Sequence, residues 1–485
     1  MNRWTLTIFL SVLISQEAFE GYTLFTPYSS DDGARVTMLI DNDYNIIHEW
    51  YHDFLPASMP YLLQDGSIIY PYMVDSPSML AGGVGGGVQK ILWDGTIDWN
   101  YTFADSVYQH HHDVEPLPNG NVLIVAWEKK TISDAYAMGR SDIDQWSTNE
   151  MWSTAILELN PTTGLIDWEW HLWDHLIQDI DSSYEAFYGS ISEHPELFDI
   201  NCGTVGNNAG GPQDPNGDWM HINSIDYNPD LDQIVISSRL QNEIYIIDHS
   251  TTTEEAASHA GGNFGKGGDI LYRWGNPQNY GRGSDFDQIL NSQHSINWIS
   301  NGYPGEGNLI VFNNFHQFDP HNSFSAVIEF APPLNDEGSY YISDNDSFGP
   351  IASEWEFECE MVVPMQGGSF RLPNGNTLIT LTTLGKLIEV NSDGENVWEY
   401  TYMSESDDGL GTSAWIARAN KYSLDYLQNT APGDVNLDGV LNILDMVLIV
   451  NMIIANEYNV DADINEDQIL NILDVVILVN ILVGN

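Results

Sequence analysis

This sequence has few basic side chains and few cysteines. Its 70 Asp and Glu face only 14 Lys and Arg, giving a net charge of −56 over 485 residues. So acidic a chain excludes nucleic acid and anionic membrane as partners, because clustered Lys and Arg hold both. It suits a salty or calcium-containing medium, where screening or bound cations relieve self-repulsion. Cys202 and Cys359 are the two cysteines. They are too few for a thiolate zinc site, and they leave one disulfide open to an exported chain. Long apolar runs are missing as well. Trp4–Ile14 follows the basic start Met1-Asn2-Arg3 and precedes small and polar residues. That is the order of a secretory signal peptide, and the run is too short for a membrane span. Residues 1–18 are therefore expected to be a signal peptide, and the protein to be periplasmic, cell-surface or extracellular. The chain lacks a Gly-x-x-x-x-Gly-Lys-Ser/Thr loop and a Gly-x-Ser-x-Gly elbow, so neither a nucleotide cofactor nor a hydrolase nucleophile of that type is expected.

What is present is ample core material. Hydrophobic residues make up 42% and aromatic residues 12%, too many for a disordered acidic chain. Two units alternate along it. The first is a turn followed by apolar residues ending on Trp, with six copies ending at Trp50, Trp99, Trp168, Trp274, Trp355 and Trp398. The second is a turn followed by a β-rich run. It has five copies, near residues 64–70, 118–125, 228–237, 308–312 and 373–379. Short strands between Gly, Asn and Asp turns read as all-β, and this spacing suits the four-stranded blades of a propeller. Six Trp-terminated units predict a six-bladed β-propeller over residues 21–427, with loop insertions at 171–218 and 251–268. A pair of β-sandwiches is the alternative.

Composition changes at 428–433, read as a linker, and residues 434–485 carry a different repeat. Asp434, Asn436, Asp438, Asn442 and Asp445 recur as Asp463, Asn465, Asp467, Asn471 and Asp474. These are loop positions 1, 3, 5, 9 and 12, a spacing that wraps oxygens around calcium. Gly439 supplies the turn at position 6, where the second copy has Gln468. Each loop runs into an apolar helix. The duplicated segment resembles a type I dockerin, a family whose modules bind a cohesin on another protein. The expected domain is therefore small, α-helical and calcium-binding, with a cohesin-like partner. In that family positions 10 and 11 help set partner choice and are often Ser or Thr; here they are Ile443-Leu444 and Ile472-Leu473. A calcium-stabilised end cap without a partner is the other reading.

Histidines are the chemical signal. His112, His221 and His294 each lie eight residues before a turn residue, at Gly120, Pro229 and Gly302. On three successive blades that spacing aims them at one central channel. Arg239 follows in a chain with few cations, which points to an anionic ligand such as sulfate, phosphate or carboxylate. Three histidines also suit a metal, and Asp113 is placed to orient an imidazole. His and Arg without a carboxylate ligand favour anion chemistry, with an imidazole nucleophile, oxygen stabilisers and a proton donor. Trp127, Trp219 and Trp298 lie near the motifs as an aromatic wall or as core.

Gly21-Tyr22-Thr23-Leu24-Phe25-Thr26-Pro27, His111-His112-Asp113, His221-Ile222-Asn223-Ser224 with Arg239, Gln293-His294 and Gly368 to Asn376 together resemble the bacterial arylsulfate sulfotransferases. The resemblance spans roughly residues 21–425. It implies an exported six-bladed propeller that moves a sulfuryl group from a phenolic sulfate ester to a phenol without a nucleotide sulfate donor. It further implies His294 as the transiently sulfated nucleophile, with His112, His221, Asn223 and Arg239 forming the rest of the pocket. Two departures stand out: the N-terminal β-domain of some members is not seen, and the dockerin-like tail is an addition. Competing readings are an aryl sulfate hydrolase and a non-catalytic propeller that binds an anionic polymer or a partner protein.

Overall fold

The computed structural model describes residues 17–28, 35–143, 148–206, 216–317, 323–335, 338–343, 346–404, 412–413, 415–429, 433–435, 441–455, 458–459, 462–465 and 469–482. The signal-peptide run therefore lies outside the described residues. Six four-stranded antiparallel sheets form the blades of a β-propeller. Counting from the channel outward, blade 1 is Trp415–Ser423, Gly21–Tyr28, Val36–Ile40 and Ile46–Tyr51. The innermost strands of blades 2 to 6 are Tyr61–Leu62, Tyr108–Pro116, Ile222–Asn228, His294–Trp298 and Gly368–Arg371. Blade 1 is thus closed by the last strand of the propeller, paired from Gly21↔Ser423 to Tyr28↔Trp415.

The two sequence units are now strands. The Trp-terminated unit is the turn into the outermost strand of each blade, and the second unit is the hairpin into the second strand. The count of six against five follows from ring closure. In blade 1 the first and second strands come from opposite ends of the chain, so no hairpin joins them.

A flat sheet must cover both faces, and here each blade covers its neighbour's. Separate apolar clusters fill the six gaps between adjacent blades. The outer tryptophans add a polar stitch across these gaps. Trp50 Nε1 donates to the Leu92 carbonyl, Trp274 to Pro350, Trp355 to Ser392 and Trp398 to Asn42. Trp168 reaches Thr251 Oγ1 instead. Burying an indole is favourable, but its N–H then needs an acceptor, and the next blade's turn provides it.

Cys202 and Cys359 do not pair. The Cys202 thiol donates to Gln241 Oε1 and Asn279 Oδ1, while Cys359 is buried in the cluster between blades 5 and 6. Burial pushes both thiols up to about 12.

Two helices follow the propeller, Ile443–Ala455 and Ile472–Leu482, packed through Ile449, Val475 and Leu478. Among the described residues no helix is long and apolar enough to cross a membrane.

Candidate active site

His112, His221, Arg239 and His294 line one cavity of about 380 Å³ at the channel. Tyr28, Met73, Leu80, Met365 and Trp415 give it an apolar wall. The expected tryptophans are elsewhere. Trp127 and Trp219 are buried, donating to Asp218 and to the Cys202 carbonyl, and Trp298 faces a second cavity.

Hydrogen bonds between blades correct the histidine register. Asp113 Oδ2 accepts from Ile225 N–H, and Ser224 Oγ accepts from Ile296 N–H. These bonds make Asp113, Ser224 and Ser295 equivalent. His112, Asn223 and His294 therefore share one place, and His221 sits two residues earlier. Counting back from the turn misplaced His221 because Pro229 is the first residue of its loop, whereas Gly120 and Gly302 each lie three residues further in. Asn223 is not in the cavity lining; its Nδ2 donates to the Gln293 carbonyl at 2.7 Å, anchoring the residue before His294.

The tautomer of His294 is set by its surroundings. Asn314 donates through Nδ2 to the carbonyls of Val363 and Gln366, at 2.7 and 2.8 Å. That fixes the amide, so Oδ1 faces His294 Nδ1 at 2.7 Å and must accept from it. The Ser292 carbonyl, 3.0 Å away, accepts from the same nitrogen. Nδ1 thus carries the proton, and Nε2 keeps its lone pair, which receives Gln366 N–H at 3.3 Å. Burial holds this ring well below the usual imidazole range, and the positive charges of Arg239 and Arg418 add to the effect. Burial thus favours the neutral ring, and His294 lines the cavity.

His221 is held differently. Its Nδ1 lies 2.5 Å from Asp218 Oδ2, both groups buried, which leaves Nε2 uncommitted. Its ring stands edge-on to His112, centroids 4.6 Å apart. Arg239 Nη and Nε atoms make no hydrogen bond or ion pair with the described residues, so the fork is open to an anion; burial lowers its pKa and Asp218 opposes that.

The three consecutive histidines have three roles. His110 Nδ1 accepts Gly86 N–H at 3.0 Å, and burial drives this ring down to about 3. His111 stacks on Trp127 at 4.1 Å and shares a proton between its Nδ1 and that of His112, 2.9 Å apart. Only His112 reaches the cavity. The chain over them is Gly82-Gly83-Val84-Gly85, and glycine is required there. A Cβ on Gly83, at φ +74°, would lie 2.0 Å from His112 Nε2, and one on Gly85 would lie 2.4 Å from His110 Nδ1.

Asp113 orients no imidazole. It pairs with Arg418 at 2.6 Å and accepts from Tyr61 Oη at 2.9 Å. Arg418, on the closing strand, also donates to Ser58 Oγ and borders the second cavity. Sequence reasoning missed Arg418, Asn314, Gln366 and Asp218. Asp218 was within reach as the residue three before His221, and Asn313-Asn314 as a poor β-former pair inside a strand.

The arylsulfotransferase (ASST) family model matches residues 83–330, just over half of the chain. The chain belongs to the arylsulfotransferase family. The matched span begins on Gly83, against His112, and includes His221, Arg239, His294 and Asn314, while Gln366 and Arg418 lie beyond it. No curated protein matches the chain. Solved structures similar to it include a protein of unknown function from Bacteroides caccae, 14% identical, covering 83% of this chain and 98% of that one at a TM-score of 0.42. Another is a quinohemoprotein alcohol dehydrogenase from Pseudomonas putida, 12% identical, covering 82% and 68% at a TM-score of 0.34. Likenesses that distant carry no argument about function.

In the tail, Asn436, Asp438, Gly439, Asp467 and Gln468 lie outside the described residues. The other loop residues form two like arrangements. Asp445 accepts from Val435 and Asn442 N–H groups, and Asp474 from Asn465 and Asn471. Asp434, Asp445, Asp463 and Asp474 are all buried. No Lys, Arg or His follows Lys421 in the sequence. Buried carboxylates need a cation, and this segment has none of its own, so the donor set fits a hard ion held by oxygens. Asn442 and Asn471 cap the following helices through Oδ1, accepting from Leu444 and Leu473 N–H.

Proposed function

We propose that this protein transfers a sulfuryl group from a phenolic sulfate ester to a phenol through a sulfated His294. The observation that carries the reading is the fixed lone pair on His294 Nε2, in a cavity that also holds the open Arg239 fork. Nε2 gives up the long Gln366 N–H bond and attacks sulfur, and the S–O(aryl) bond breaks, its electron pair leaving with the phenolate oxygen. Nδ1 keeps its proton throughout, so the sulfated ring is an imidazolium and a good leaving group. Arg239 neutralises the sulfuryl oxygens. His221, backed by Asp218, gives its Nε2 proton to the departing phenolate. In the second half a phenol returns that proton to His221 and attacks sulfur, and the N–S bond breaks. The apolar wall with Trp415 and Tyr28 accepts the aryl ring.

The test is a brief pulse of 4-nitrophenyl sulfate followed by peptide mapping. A sulfuryl mass on the His294 peptide, lost in His294→Ala together with phenol-stimulated nitrophenol release, is the expected result. Release without any labelled histidine, or release that persists in His294→Ala, would sink the reading. Release that ignores added phenol would assign water as the acceptor.

The tail is read as a calcium-loaded, dockerin-like module. Its support is the buried carboxylate set together with a repeated apolar surface, Ile443-Leu444 and Ile472-Leu473, each residue more than half exposed. A cohesin-like partner is the proposed occupant of that surface. The basic start and apolar run at the N-terminus support export.

A further inference from the structure

Away from the channel, two insertions meet around one carboxylate. His175 ends the turn Leu172–His175 after the outermost strand of blade 3. His259 and Asp269 lie between the third and fourth strands of blade 4, after the capped turn of helix Thr253–Ala256. His175 Nδ1 is 2.7 Å from Asp269 Oδ1, and His259 Nδ1 is 2.8 Å from the same oxygen. The three atoms all lie within 4.8 Å of one another.

The far nitrogens decide what these contacts mean. His175 Nε2 is 2.8 Å from the Ala256 carbonyl, which only accepts, so Nε2 carries hydrogen. In a neutral ring the Nδ1 lone pair then faces a carboxylate oxygen, which is repulsive unless a cation lies between them. His259 Nε2 is 3.3 Å from Tyr188 Oη, which accepts from it when Nδ1 is the ligand. Both rings therefore have an outer oxygen partner and an inner nitrogen turned to one carboxylate, the second-shell pattern of metal-bound histidine. The backbone is fitted to this arrangement. A Cβ on Gly268 would lie 2.0 Å from the Ala256 carbonyl and 2.6 Å from His175 Nε2.

We propose that His175, His259 and Asp269 bind a zinc ion that clamps the two insertions together. Two imidazoles and one carboxylate are zinc ligands, whereas calcium wants six to eight oxygens. Ligand bonds of about 2.0–2.2 Å require the two rings to draw back from Asp269 by roughly half an ångström. His175 and Asp269 are buried and the His259 side chain is 40% exposed, so solvent supplies the fourth ligand.

The test uses full-length protein stripped with chelator, then equilibrated with one equivalent of zinc in excess calcium to occupy the tail. Metal content by mass spectrometry should give one zinc per chain in the wild type and in His294→Ala, and none in His259→Ala or Asp269→Asn. Zinc should raise the thermal midpoint of the wild type and leave that of His259→Ala unchanged. Cobalt in place of zinc should give the strong visible absorption of a tetrahedral site, absent from His259→Ala. His259 is partly exposed, so its variant should keep the wild-type near-UV spectrum. Absence of retained zinc, or equal zinc in His259→Ala, would overturn the proposal and leave a hydrogen-bonded His–Asp–His clamp with His175 protonated.

Discussion

His249 links blade 3 to blade 4, and its charge should be measurable as stability. Its Nδ1 donates to Asp232 at 2.7 Å and its Nε2 to Glu158 at 2.9 Å, with the ring mostly buried. Burial opposes the charge, yet the two carboxylates prevail and raise the imidazole from 6.5 to about 9. At about 1.4 kcal/mol per pKa unit that shift corresponds to roughly 3 kcal/mol. A raised pKa means the folded state holds the proton more tightly. The contribution is therefore complete below the unfolded value of 6.5 and is lost as pH rises through about 9. The assay is urea unfolding of the wild type and His249→Gln at about pH 6 and about pH 10, either side of that window. Other groups titrate in both proteins and cancel in the difference. The variant should be weaker than the wild type at the lower pH by about 3 kcal/mol more than at the higher one. An equal gap at both would refute the charged clamp and reduce His249 to a packing residue.

Further outcomes concern the cavity and the tail. Gly83→Ala should cut kcat on 4-nitrophenyl sulfate by about 100-fold, because a displacement of roughly 1 Å at His112 can cost that much. A wild-type rate in that variant would mean that the His112 ring does not position the edge-on ring of His221. Because burial holds His294 neutral, the acid limb of kcat/KM should lie below the ordinary imidazole value of 6.5. A limb centred there would mark a solvated ring. EDTA should abolish the far-UV helical signal of residues 443–455 and 472–482 while leaving turnover intact; an unchanged spectrum would count against bound calcium.

The propeller was legible because its repeat is local. A turn, an apolar run and a tryptophan recur in every blade, and five of the six indoles find an acceptor on the next blade. The site was legible only as a set of residue types. Spacing from a turn gives the register only when it is counted from the same place in each loop, and Pro229, the first residue of its loop, breaks that condition at His221. Arg418 and Gln366 were invisible because nothing local marks them; ring closure and neighbouring blades carry them to the channel. Asp113 follows directly on the histidines, yet its partner is Arg418, about 300 residues away. Chain proximity suggested an imidazole instead. The glycines at 82–87 carried a readable signal of their own, since backbone that close to side chains leaves no space for a Cβ.

The closing strand has a consequence for synthesis. Trp415 and Ala417 line the cavity, and Arg418 holds Asp113, but the chain makes them last. A nascent chain released before residue 415 can pair five sheets while its cavity still lacks Trp415 and Ala417 and Asp113 still lacks Arg418. Synthesis of the closing strand therefore acts as the switch that makes the cavity, and the residues after it are added to a ring already shut.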